Sequence, residues 1–388
     1  MSTRPRILCL SLSPIHRDAR VLRQLEVLAA AGDVTTVGYG PRPDLATEHL
    51  EIPQNLTSLP QTPRGVALLA ARRFRAAELA APAVAEAQRR LQGHRFDLVV
   101  ANEARVLALA FDVAHGAPVW ADMHEWAPEE RTQVLSWRLL VAPFMTHLCA
   151  TYLPRAAAVT TVGGAIAELY RDRFGVEAQV MRNSSPWRDL HPSPTDGSPI
   201  RLVHSGGAEP SRNIETIIDV VRELGPGFTL DLLLVPAADG GRYLGTLKER
   251  AKGCDRITFR DPVRPHELPD ALNVYDVGVH WIPPTQTNAR LALPNKFFDY
   301  VQARLAVAIG PSVEMATLVD KYGLGFVSES FEPADCAASL RALDAESVRA
   351  AKAASDAASR ELSFEADAAV GAGIIERLLG PRGASPGL

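Results

Sequence analysis

Residues 291–310 read LALPNKFFDYVQARLAVAIG, and this stretch joins a helix start directly to a buried strand. Pro294 suits a first helical turn, where its missing N–H has no partner to lose. Phe297, Tyr300 and Val301 give the helix one apolar face, and Lys296 and Asp299, three residues apart, share the opposite one. The run from Leu305 to Ile309 then reads as a strand covered on both sides. A helix start attracts anions, because its first N–H groups have no intrahelical acceptor. This spacing sets Lys296 beside a phosphate seated there, with Asp299 accepting hydrogen bonds from sugar hydroxyls. An ordinary exposed Lys–Asp pair has the same spacing, and taken alone the spacing favours that plainer reading.

The same alternation of helix and apolar run extends outward over the 388 residues. Strand-like runs fall at 6–12, 34–39, 97–101, 118–121, 158–162 and 179–182. A second set falls at 200–205, 229–235, 256–260, 277–281, 305–309 and 325–327. Short apolar runs separated by helices predict parallel sheets with helices on both faces, and two sets predict two doubly wound α/β domains. Residues 183–199, NSSPWRDLHPSPTDGSP, carry four prolines and little apolar periodicity, so they read as a connection. The expected division is a first domain over 1–183, a linker over 184–199 and a second domain over 200–362. A terminal helix over 363–380 is expected to cross back onto the first domain. Two such domains are expected to face each other across a cleft at the carboxyl ends of their strands. Pro381–Leu388 reads as a frayed tail.

The formal net charge is −4, which argues against a nucleic-acid binder. Cys9, Cys149, Cys254 and Cys336 are too widely spaced for a zinc site or a redox pair and read as buried thiols. No signal-peptide pattern or membrane-length apolar run is present, so the expected location is cytoplasmic. Arg64–Arg95 contains seven arginines and two acidic residues. It reads as a solvated helix face or, alternatively, as a peripheral contact with anionic lipid at the inner membrane face.

Three polar clusters follow strand ends, where ligands of open α/β sheets bind. In the first, Ser13-Pro14 leads to His16, Asp18 and Arg20. Asp18 either caps the next helix or faces a ligand. In the second, Asp122, His124 and Glu125 follow Trp120-Ala121, and His124 is a candidate base or sugar-hydroxyl ligand. In the third, His204-Ser205-Gly206-Gly207 leads to Arg212. There the glycines admit a ligand near the backbone and Arg212 can pair with phosphate. Trp281 ends a further strand and is a candidate to line a base or sugar. The loop after the first strand lacks the G-x-G-x-x-G fingerprint, so a dinucleotide cofactor is not expected. No Asp-x-Asp or His–Glu metal pattern occurs. Phosphate charge is therefore expected to meet Arg212, Lys296 and helix N-termini, with no metal.

These residues resemble the family 4-like glycosyltransferases of the GT-B fold. The resemblance is carried by Ser13-Pro14 with Arg17–Val21, by Ala121–Glu125 and by Thr161–Tyr170 with Asn183. It is carried also by Ser363-Phe364-Glu365 and, most specifically, by Leu293–Tyr300. It implies that a nucleotide diphosphate sugar binds the second domain through Gly206, Gly207, Arg212, Trp281, Pro294, Asn295, Lys296 and Asp299. It also implies that a hydroxyl acceptor, carbohydrate, lipid-linked or small-molecule, binds the first domain through Ser13, His16, Asp18, Asp122, His124 and Glu125. The catalytic set is then His124, Arg212 and Lys296. The nucleotide sugar is a co-substrate, no cofactor is required, and the chemistry is retaining and metal-independent. Arg304 and Ala306 stand where glycine and proline are usual in the family, and two further departures stand out. Leu291 occupies the position of the family's first acidic residue, and no lysine follows Arg212 closely. Leu291 keeps open a non-catalytic nucleotide-sugar-binding subunit of a transferase complex, and a separate alternative is an inverting transferase with His124 or Asp18 as base.

Overall fold

A computed structural model describes residues 4–237 and 239–380; the tail at Pro381–Leu388 lies outside the described residues. The chain divides into two compact units. The first comprises Met1–Arg182, Gln286–Asn288 and Asp367–Leu388, and the second Asn183–Thr285 and Ala289–Ala366.

In the first unit the strands are β1 (Arg6–Pro14), β2 (Asp33–Tyr39), β3 (Glu48–Ile52), β4 (Leu98–Asn102), β5 (Val119–Met123), β6 (Ala158–Thr161) and β7 (Gln179–Val180). They form one sheet in the order β3-β2-β1-β4-β5-β6-β7, parallel throughout. Strand β3 was not expected from sequence. Its residues EHLEI are mostly polar because it is an edge strand, paired on one side only, with β2. Helix α1 (Ala19–Ala31) is capped by Asp18, whose carboxylate accepts from the Val21 amide. It buries Arg20, Val21, Gln24, Leu25 and Leu28 against the sheet. Helix α2 (Pro63–Ala70) starts with Pro63 in its first turn and is capped by Thr62.

The second unit repeats the pattern with β8 (Ile200–Ala208), β9 (Phe228–Pro236), β10 (Ile257–Arg260), β11 (Val277–His280), β12 (Ala306–Ile309) and β13 (Gly325–Val327). Their order is β10-β9-β8-β11-β12-β13, again parallel. Helix α3 (Ile214–Glu223) follows β8, and α4 (Asn295–Gln302) precedes β12. The last helix, α5 (Phe364–Leu379), sends Ile374 and Ile375 into the core of the first unit beside Ile7, Leu25 and Trp120.

Both sheets reverse their winding direction once, between β1 and β4 in one unit and between β8 and β11 in the other. Loops leaving neighbouring strands at such a point diverge to opposite faces and leave a crevice at the carboxyl ends. Buried side chains of Cys9, Cys149 and Cys336 accord with the thiol reading, whereas Cys254 is only partly buried.

Candidate functional site

The second unit's crevice is built on β8, β11 and α4. Tyr300 anchors α4 on the sheet by lying flat on Gly278 of β11, where a Cβ would come 2.4 Å from its ring. Its hydroxyl meets the Ser205 amide. That docking turns Lys296 inward. The side chain expected on the exposed face of α4 is only 6% exposed, and its Nζ lies 3.3 Å from His204 Nε2. Gly206, with φ +130°, takes a conformation natural to glycine. A Cβ there would lie 3.0 Å from Lys296 Nζ and 3.8 Å from Arg212 Nη1. Two cations therefore converge on one open stretch of backbone. Burial, reinforced by Arg212, lowers the Lys296 pKa to about 7 against a smaller opposing effect from Asp299. Arg212 is partly exposed, at the end of the short turn before α3.

The other donor-side residues separate. Pro294 is the N-cap of α4 and Asn295 its first residue, both partly buried. Asp299 accepts a hydrogen bond from the Ser185 hydroxyl. Gly207 has no special conformation, and a Cβ there would make ordinary contact with the Glu209 side chain, 3.7 Å from its Oε1. Trp281 is corrected: it is fully buried in the core of the second unit, packed among residues such as Ile217, Leu232 and Val279. The strand alternation turns His280 and Trp281 to opposite sides, so the tryptophan cannot line a ligand.

In the first unit the crevice residues come from β4, β5 and α1. Asp122 is also corrected. It is wholly buried and accepts from Arg20 Nε (3.0 Å) and Nη2 (2.6 Å), Gln24 Nε2 (3.1 Å) and Thr160 Oγ1 (2.6 Å). Burial alone would raise its pKa, but the Arg20 guanidinium holds it well below the usual carboxylate range. It is thus a buried anchor and has no surface to offer an acceptor. What it anchors is His124, whose Nε2 lies 3.0 Å from Asn102 Oδ1 and 3.3 Å from Asp122 Oδ2. The other nitrogen, Nδ1, lies 3.3 Å from Glu103 Oε1. Each ring nitrogen faces oxygens that accept. Burial opposes a charged ring, but Glu103 and Asp122 outweigh it and raise the His124 pKa.

Glu103 escaped sequence reading altogether. It follows β4 at φ 77°, ψ 155°, a region nearly reserved for glycine, where a side chain costs about 1–3 kcal/mol. No pattern in a single sequence signals a glutamate in that conformation. Glu125 is partly buried, and its pKa is pushed up to about 8 by burial, then by Glu103 and Glu130. Asp18 acts as the α1 cap. Ser13 pairs with Ser11 at 2.9 Å, and exposed His16 sits over Gly40. The structure therefore groups His124, Glu125 and Asp122 in the first unit, and Gly206, Arg212 and Lys296 in the second. Among the described residues, no group of three or more His, Cys, Asp or Glu is arranged to hold a metal ion.

Residues 19–183 match the model of Glycosyltransferase Family 4. No curated protein sequence matches the chain. Among solved structures, the chain is similar to Anabaena HepE in complex with UDP and glucose, at 17% identity and a TM-score of 0.65, covering 96% of this chain and 100% of that one. It is similar to the sucrose-phosphate synthase of Thermosynechococcus elongatus, at 16% identity and a TM-score of 0.69, over 97% and 99% of the two chains. It also resembles the α,α-trehalose 6-phosphate synthase of Burkholderia multivorans, at 12% identity and a TM-score of 0.66, over 97% and 99%. The chain therefore has the GT-B fold of two Rossmann-like domains. Over residues 19–183 the first unit is similar to the family 4 glycosyltransferase model.

Proposed function

We propose that this protein is a glycosyltransferase that moves a hexosyl or deoxyhexosyl group from a nucleoside diphosphate sugar to a hydroxyl acceptor, with retention and without a divalent ion. The observation that carries the reading is the inward Lys296 amine beside Arg212 over Gly206. A buried cation facing a neutral imidazole calls for an anion, and the open glycine backbone lets a diphosphate approach. HepE has been solved with UDP-glucose, which supports a uridine nucleotide as the first donor to test. In this reading the departing phosphate takes the acceptor's proton, while Arg212 and Lys296 stabilise its growing charge. The acceptor is held near His124 and Glu125. Leu291 is buried, so the donor sugar is held without an acid at that position.

The inverting alternative needs a base that arrives neutral. His124 meets oxygen acceptors at both nitrogens and has a raised pKa, which argues against that role and for retention. The test is a thermal-shift screen with UDP-, GDP- and TDP-sugars, followed by proton NMR of the transferred anomer. Stabilisation by a donor with a retained anomer is expected. Failure of every donor to bind would overturn the reading, and an inverted product would overturn its stereochemistry. Tight donor binding without transfer would favour the non-catalytic subunit.

A surface of the first unit supports a lipid-linked acceptor and a role in glycan, polysaccharide or glycoconjugate synthesis. Helix α2 packs against the helical turn Trp137–Val141. Val66, Val134, Leu135 (58% exposed) and Leu139 stand out from these segments. Residues 61–76 and 131–143 together hold six exposed arginines and no acidic residue. Arg75 and Arg131 are paired with Glu78 and Glu130, and the apolar patch with its surplus of arginines fits an anionic bilayer. It also narrows the basic stretch read from sequence, since Arg89 and Arg90 are tied to Glu86. No helix among the described residues is long and apolar enough to cross a membrane. Wild-type protein is expected to float with phosphatidylglycerol vesicles and not with phosphatidylcholine. The Arg72→Gln/Arg73→Gln variant should bind roughly 10- to 30-fold more weakly, at about 1 kcal/mol per basic residue near the surface. Equal flotation of the variant would remove this surface from the reading.

A further inference from the structure

We propose that His204 is a positioning residue of the diphosphate site, holding the Lys296 amine over Gly206 by offering it a neutral acceptor. This rests on the donor reading above and adds to it a residue that makes no contact with phosphate itself.

His204 lies on β8 and is 0% exposed. Its Nδ1 is 2.8 Å from the Val279 carbonyl oxygen. A carbonyl only accepts, so Nδ1 carries the hydrogen and Nε2 is left with its lone pair. That lone pair faces Lys296 Nζ at 3.3 Å, and an ammonium only donates. The ring is committed at both ends, and β11 fixes its orientation through Val279. Burial, then Lys296, drives the His204 pKa well below the ordinary histidine value, so the ring stays neutral beside its cation.

The choice of a neutral acceptor follows from what surrounds the amine. His204 comes from β8, His280 from β11, Arg212 from the turn before α3, and Asp299 from α4 itself. The His280 ring lies parallel to that of His204, with centroids 6.1 Å apart. A carboxylate in place of His204 would neutralise the lysine and repel a diphosphate. A third cation would drive the proton off the lysine. A neutral lone pair aims the ammonium without spending its charge, which stays available to the ligand. Lysine has a flexible four-carbon stem, so without this acceptor the amine loses the contact that sets its direction.

The test uses the full chain with UDP-glucose as probe, whose diphosphate diester does not titrate near neutrality. Binding is measured by calorimetry between pH 6 and 9, roughly the range spanning the lowered lysine pKa, in buffers of different ionisation enthalpy. The variants are His204→Leu, His204→Gln and His204→Glu. Glutamine places an amide oxygen near the original Nε2, so it should bind within a few-fold of wild type. Leucine should weaken binding ~10- to 100-fold, as expected for a lost hydrogen bond to a charged group. Glutamate should be at least as weak as leucine, although it gives the lysine a partner. Wild type should take up protons on binding near pH 7, and the glutamate variant should not, because its lysine is already charged. Should leucine fail to fold, the glutamine–glutamate contrast carries the test. Tight binding by His204→Leu, or equal binding by the glutamine and glutamate variants, would overturn the proposal. Absence of UDP-glucose binding by wild type would overturn the uridine-donor reading on which the proposal rests, so the two failures are distinguishable.

Discussion

Replacing Lys296 with methionine is expected to reduce turnover by ~10²–10³, the usual cost of removing one charged or hydrogen-bonding group aimed at developing negative charge. The same change is expected to leave folding intact or improve it. The lysine is buried with its pKa lowered to about 7, so folding without ligand works against its charge. The sign follows from linkage. Between about pH 7 and the unfolded lysine value near 10.4, the unfolded chain holds more protons at this group. Stability contributed by Lys296 therefore rises with pH through that window and is least below it. Methionine fills similar space and does not titrate, so urea unfolding of the variant should lack this rise. Donor stabilisation should run the opposite way. An arriving diphosphate favours the ammonium, so affinity in the wild type should strengthen as pH falls through 7. Turnover is followed as release of nucleoside diphosphate, and stability by urea unfolding at several pH values. A variant that turned over normally, or lost activity only because it had lost stability, would remove Lys296 from the phosphate site.

Replacing Arg20 with methionine is expected to destabilise the first unit by about 3–5 kcal/mol, the cost of leaving one partner of a buried ion pair uncompensated. Asp122 would then keep Gln24, Thr160 and His124 as partners but lose its buried guanidinium. The wild-type Asp122 pKa is held below the ordinary value by Arg20. Its contribution is therefore complete above the unfolded carboxylate pKa, near 3.9, and fades only as pH falls through the lower folded value. In the variant the carboxyl protonates earlier and sheds its penalty. The stability gap between the two proteins should narrow on acidification below about pH 4. A double change, Arg20→Met with Asp122→Leu, should recover much of the loss, because paired apolar replacements at buried ion pairs are often neutral. A single variant within 1 kcal/mol of wild type, about the scale of an exposed pair, would show that the pair does not support the core.

The same two residues show where a linear reading runs out. Continuous apolar runs identified β1, β2 and the central strands of both sheets, because strands buried on both faces must be apolar at nearly every position. Strand β3 escaped because an edge strand is free of that demand. Arg20 and Asp122 are 102 positions apart, and each looked like a ligand-facing residue at the end of an element. Only the pairing shows that each occupies the other. Lys296 was read as sharing an exposed face with Asp299, because helical spacing gives a direction relative to the helix and not relative to the sheet. The docking of Tyr300 onto Gly278 supplies that second direction. Trp281 failed for a related reason: a strand's end fixes which side a residue faces, and one position decides between core and crevice.

The glutamate that follows β4 has a consequence for engineering. A glycine at position 103 would relax the backbone, and it would also remove the carboxylate facing the imidazole Nδ1. A campaign rewarding heat tolerance alone would be drawn to that exchange and give up the charged neighbour that faces the imidazole. At this one position, backbone ease and the charge beside the imidazole make opposite demands on the same chain.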